Sequence, residues 1–234
     1  MSTFTDSAAT AAQLIVSFDP ALLAIVGRSL AVSASACAIA CVLGLVLGAW
    51  LGVARFPGRD AVLTVLNTLL AVPSVVVGLV VYLLLSRSGP LGPLGLLFTP
   101  AAMIVAQTVL ILPIVASLAC QSSAELWGEY RDQLRSLGAG PWRSVATLLW
   151  DGRFALATAV LAGFGRASAE VGAVMIVGGN IDHVTRVMTT AIALETSKGD
   201  LALALALGMI LIALSVGVSG AIAAVNAATR RAYG

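Results

Sequence analysis

Long apolar runs alternate with short polar segments along this chain, and each run has the length a bilayer demands of a helix. A spanning helix needs about 20 mostly apolar residues. Five stretches supply them, at about 29–54, 66–85, 100–119, 154–177 and 201–224. The pattern predicts an all-α membrane protein with about five transmembrane helices, forming one domain over 29–234. Residues 1–28 come first. They are Ala-rich and broken by Asp19-Pro20, and are expected to form an external arm or a short interfacial helix. The longest polar interruption is 120–153. Within it, Glu125 to Arg153 holds eight of the chain's twenty-four charged residues.

The runs carry finer signals. In the first, Gly44, Gly48 and Gly52 fall four apart on one face, which permits close helix packing. Ala213, Gly217 and Ala221 make a similar face in the fifth. Pro73 and Pro113 lie inside the second and third runs and predict kinks. Ser86 to Phe98 is turn-rich in Gly and Pro. In the connection from Gly178 to Asp200, the uncharged run Val187–Leu194 is expected to re-enter the membrane or make a short helix.

Composition agrees with a bilayer solvent. The chain is 59% hydrophobic and 10% charged, against about 25% charged in a soluble domain. The net charge of +2 gives no reason to expect a nucleic-acid partner. Cationic residues set the expected orientation, because they concentrate in cytoplasmic loops. Arg55, Arg59, Arg131, Arg135, Arg143, Arg153, Arg230 and Arg231 lie on one side, and Arg28, Arg87, Arg186 and Lys198 on the other. The N-terminus is therefore expected outside and the C-terminus inside, with 120–153 in the cytoplasm. No Lys or Arg precedes Arg28, so the basic start of a secretory signal is missing.

Candidate chemistry is sparse. The only lysine follows Ser197, so no phosphate-binding loop of the form GxxxxGK[ST] is present. The chain is therefore not expected to be its own ATPase by that route, and no cofactor or metal is expected on it. His183 is the single histidine and reads as a solvated loop residue. Cys37, Cys41 and Cys120 suggest no disulfide framework and read as small packing residues.

Arg166 and Glu170 are the costly residues, since an isolated charge at mid-membrane costs about 2.5–3.5 kcal/mol. If the fourth run is one helix, their spacing puts them one turn apart on one face, where they can pair. They read equally as a structural ion pair or as part of a gate or anion path, with Gln107 of the third run as a further path residue. In the polar stretch, Tyr130 to Leu137 has helical spacing, with Leu134 and Leu137 opposite Arg131, Asp132 and Arg135. Gly138-Ala139-Gly140-Pro141 ends this helix, and a second restarts near Trp142. Physics alone allows two uses for the first helix, docking into a partner's groove or lying on headgroups.

The segment Tyr130-Arg131-Asp132-Gln133-Leu134-Arg135-Ser136-Leu137-Gly138-Ala139 resembles the EAA loop of ABC-importer permeases. Asp132 stands at the Glu position, Gln133 and Leu134 at the two Ala positions, and Gly138 at the Gly. Phe164 to Ala173, continuing to Gly178-Gly179-Asn180-Ile181, resembles the R-A-x-x-E-x-G-A…GN signature of the molybdate, tungstate and sulfate permeases. Val72 to Gly95, the stretch around Ala106-Gln107, and Thr185 to Leu207 look most like tungstate permeases. The resemblance covers roughly residues 20 to 225.

It implies the type I importer permease fold in a bacterial or archaeal inner membrane. It also implies a homodimer with two cytoplasmic ATPase subunits beneath and a solute-binding protein outside. Tungstate is the first expected cargo, then molybdate or sulfate. Coupling to the ATPase would fall on Tyr130, Arg131, Asp132, Arg135, Leu137 and Gly138. The alternative is a stand-alone channel or secondary transporter. The absence of an inverted repeat and the single intramembrane carboxylate, Glu170, speak against it.

Overall fold

In a computed structural model, residues 2–233 are described, with side chains from Asp6 to Ala227. Among them there are ten α-helices and no strand. In chain order these are α1 (Ser2–Val16), α2 (Pro20–Val53), α3 (Arg59–Ala71), α4 (Ser74–Leu85), α5 (Pro100–Ser136), α6 (Pro141–Asp151), α7 (Arg153–Ser168), α8 (Gly172–Gly178), α9 (Met188–Lys198) and α10 (Leu201–Tyr233). A short 3-10 turn, Gly92–Leu94, precedes α5. Three helices are individually long and apolar enough to cross a membrane, α2, α5 and α10 up to Ala227. The number rises to five if the broken pairs α3/α4 and α6/α7 each count as one span.

Several boundaries differ from the sequence expectation. The first long helix starts at Pro20, nine residues before the expected run. Asp19 caps it, its Oδ1 accepting the Ala21 and Leu22 N–H groups at 3.0 Å each, while Pro20 takes the first helical position. The expected second span breaks at Val72-Pro73. Proline disfavours a helical conformation in the residue before it, and Val72 and Pro73 are extended, with ψ of 128° and 133°. The expected fourth span is also interrupted, between Ser168 and Gly172. The uncharged run at Val187 becomes α9. Pro113, by contrast, stays inside a continuous α5 of 37 residues. At 1.5 Å per residue α5 is about 55 Å long, more than the roughly 30 Å of hydrocarbon. Its last third, 124–136, takes in most of Tyr130 to Leu137, the segment expected to form a separate helix.

The chain divides into two compact units, and it changes unit within each of the five expected spans. One unit takes 1–36, 73–107 and 167–217. Its core joins Ala11 of α1, Leu22 and Ile25 of α2, Met188 and Ala191 of α9, and Ala206 and Leu207 of α10. The N-terminal segment thus packs into this core as a helix. Gly78 of α4 allows α8 close, for a Cβ there would lie 2.7 Å from Ala173 Cα.

The other unit takes 37–72, 108–166 and 218–234. Here Gly44, Gly48 and Gly52 face α5 as one stripe, toward Val115, Ala116 with Ala119, and Ser123. All three cysteines are buried free thiols. The small-residue face of α10 behaves differently, because Ala213 and Gly217 are exposed and nothing lies within 4 Å of a Cβ at Gly217. The side chains of Arg230 and Arg231, used in the charge count, lie outside the described residues.

Candidate functional site

The first candidate is the C-terminal end of α5. Tyr130 and Leu134 turn inward and pack on a core of Ala49, Val53, Val145 and Leu148. Their neighbours point to solvent. Arg131 and Asp132 form an exposed pair at 3.2 Å, of a kind worth about 0–1 kcal/mol. Arg135 lies over the Trp127 ring, 5.9 Å from its centroid, a cation–π arrangement that limits where its guanidinium can go. Leu137 does not share the inward face with Leu134 as its spacing predicted. It falls one residue past the helix and is 81% exposed.

The helix ends in a Schellman motif. Gly138 has φ 68°, its N–H donates to Arg135 O at 3.0 Å, and Ala139 N–H donates to Leu134 O at 2.9 Å. Pro141 then opens α6 at its first position, where a missing N–H costs nothing. A cavity of about 630 Å³ beside this end is lined by Glu125, Glu129, Tyr130 and Asp151 among others.

The second candidate is the break between α7 and α8. Glu170 is 3% exposed, and so is Gln107. Gln107 Nε2 donates to Ala167 O at 3.1 Å, one of the carbonyls that the end of α7 leaves without a helical partner. The Glu170 N–H donates to the same oxygen at 3.1 Å. Glu170 Oε1 in turn accepts the N–H of Ala173 in the first turn of α8, at 3.0 Å. Thr189 Oγ1, from α9, donates to Glu170 O at 2.7 Å. The break is therefore stapled from three sides, and Gln107 and Glu170 serve the same joint. Gln107 Oε1 is buried with no hydrogen-bond partner among the described residues.

Arg166 and Glu170 do not share one helix, because α7 ends at Ser168 and Glu170 lies in the break. Arg166 sits in the last turn of α7, where the helix dipole favours a cation. Thr189 was missed at the sequence level. Nineteen residues separate it from Glu170, and its run carries no charge that would draw notice. Arg28 entered only the charge count, yet it donates to Arg186 O at 3.0 Å and His183 O at 2.9 Å, tying α2 to the loop before α9. Among the described residues, no group of three or more His, Cys, Asp or Glu is placed to hold a metal.

Long apolar helices, broken spans and a buried polar joint define a multi-pass helical membrane protein. The chain belongs to the family of ABC-transporter permeases that act on tungstate and related oxyanions. It is 41% identical to the tungstate uptake system permease protein TupB of Peptoclostridium acidaminophilum over 212 residues, covering 91% of this chain and 93% of that one. It is 43% identical to a probable anion ABC transporter permease protein of Haloferax volcanii over 203 residues, covering 85% and 88%. Similarity extends to the molybdenum transport system permease protein ModB of Azotobacter vinelandii, 33% identical over 155 residues, 61% of this chain and 67% of that one. No family model matches the chain.

Proposed function

We propose that this chain is the permease subunit of an ATP-driven importer for a tetrahedral oxyanion, with tungstate first, then molybdate or sulfate. The observation that carries this reading is 41% identity along 91% of the chain to a tungstate uptake permease. Two copies form the pore, a separate pair of ATPase subunits supplies the energy, and an external binding protein delivers the anion. The chain itself performs no catalysis. The N-terminus faces outward and the C-terminus inward, so the end of α5 meets the ATPase.

Coupling falls on Tyr130, Arg131, Asp132, Arg135, Leu137 and Gly138. Tyr130 and Leu134 anchor the helix end in the subunit's own core, while Arg131, Asp132 and Leu137 are exposed and available to a partner. Arg166, Glu170 and Gln107 form the path or gate. Glu170 and Gln107 act by fixing where α7 stops and α8 starts, and Arg166 supplies positive charge.

Vesicles reconstituted with the chain, its ATPase and its binding protein test this by ATP-dependent tungstate uptake. Gly138→Trp is expected to abolish ATPase association and uptake together. Gly138→Asn is expected to keep both, because Asn tolerates the left-handed turn, whereas Gly138→Val strains it by about 1–2 kcal/mol. Arg166→Ala is expected to stop uptake with ATPase association intact. Normal uptake by Arg166→Ala sinks the path assignment, and tungstate flux through the chain alone sinks the importer reading in favour of a channel.

A further inference from the structure

We propose that the groove between α2, α6 and the start of α7 is a binding site for one anionic phospholipid, with Arg153 holding its phosphate. Val42, Leu45 and Val46 of α2 form one wall, and Leu149, Leu156 and Val160 form the other. The space is about 520 Å³ and open to the outside. Arg153 is the one charged residue in the lining, and it stands at the first position of α7. From Arg153 to Val160 the groove follows α7 for about 10 Å. An apolar trough with one cation matches the shape of a lipid, a charged head above a hydrocarbon tail.

Arg153 is placed for such a role. Its Nη1 donates to Trp150 O at 2.9 Å, which fixes the guanidinium at the α6–α7 corner. The charge lies over Trp150, 5.3 Å from the ring centroid, and over Phe154 at 4.8 Å. No carboxylate pairs with it in an ion pair among the described residues. A planar guanidinium with donors to spare suits phosphate oxygens.

Trp142 and Trp150, at the two ends of α6, are 65% and 71% exposed. Exposed tryptophans flanked by arginines are the side chains that mark the membrane–water boundary. Helix α6 bends from α7 by 77° at Gly152, so the chain turns at the depth where the head would lie. Trp142 also closes a second apolar recess of about 490 Å³ on the other side of Val42 and Val46. The α2 ridge is thus flanked by apolar hollows on both sides, and Arg153 charges only one of them. Charge complementarity therefore selects the occupant of the first groove, an anionic lipid rather than a zwitterionic one.

The full chain is purified in mild detergent and titrated with phosphatidylglycerol or with phosphatidylcholine of the same acyl chains. Retained lipid is then counted by native mass spectrometry. Phosphatidylglycerol is expected to be preferred about fivefold, the contribution of one interfacial cation. Arg153→Gln is expected to remove the preference and Arg153→Lys to keep it. Val46→Trp, which fills the trough, is expected to lower retention of both lipids. Arg143→Gln serves as the control and is expected to change nothing. Two results overturn the proposal. One is an unchanged preference in Arg153→Gln. The other is a Val46→Trp chain that retains lipid normally but loses self-association, which assigns the groove to a second copy. Neither depends on which anion is transported.

Discussion

Gly48→Val is expected to leave almost no folded protein in the membrane, and Gly48→Ala to lower thermal stability clearly. At this position α2 and α5 touch through backbone. A Cβ on residue 48 would overlap the carbonyl oxygen of Ala116 and approach Ala119 Cβ to 2.8 Å. The obstruction is main chain and a methyl group, so no rotamer change relieves it. Forcing extra atoms into such a contact costs about 1–3 kcal/mol. The better helix propensity of Ala returns only about 1 kcal/mol, so the clash wins.

The comparison position is Gly27, in the same helix with nothing within 4 Å of its Cβ. Gly27→Ala is expected to be neutral or slightly stabilising. Fluorescence-detected size-exclusion after heating reads both. Equal melting of Gly48→Ala and Gly27→Ala would falsify the close approach of α2 and α5.

That contact was legible because spacing alone fixes which residues share a helix face. Gly44, Gly48 and Gly52 recur every four residues, and one helix surface receives all three. At Ala213 and Gly217 the same spacing gives a shared face that the chain itself leaves exposed. A stripe of small residues says that close packing is possible there and does not supply a neighbour. The turn at Gly138 was legible for a different reason. Glycine followed closely by proline stops a helix locally, whatever surrounds it. Leu137 was misread because the helix stops one residue earlier than its apolar pattern does.

The break at 169–171 was hidden. Ala169, Glu170 and Val171 include no proline, and Glu170 reads as a charge inside one continuous span. The groups that stabilise the break come from elsewhere, Gln107 from α5 and Thr189 from α9. A single sequence does not print such pairings. The break at Val72-Pro73 was half-visible. Proline announced a kink, but Pro113 shows that the same residue can also sit within a continuous helix. What decides between them is whether neighbouring groups satisfy the backbone that proline frees.

Glu170→Ala is expected to cost more stability than any other single change at this joint. It strips the acceptor from the buried Ala173 N–H. Leaving a buried donor unsatisfied costs about 1–3 kcal/mol. Glu170→Gln keeps an oxygen at the same reach and is expected to melt between wild type and Glu170→Ala. Thr189→Val preserves shape while deleting the donor to Glu170 O, and a loss of about 1 kcal/mol is expected. Because both changes loosen one joint, their double variant is expected to lose less than the two losses added together.

Uptake separates the joint's structural role from a role in the anion path. If Glu170 only holds the break, Glu170→Gln recovers uptake in step with its melting temperature. If the carboxylate charge itself acts on the passing anion, Glu170→Gln is well folded yet transports abnormally. The hydrogen bonds to Ala173 and Thr189 favour the first outcome, since both the side chain and the main chain of Glu170 are already engaged in fixing the start of α8.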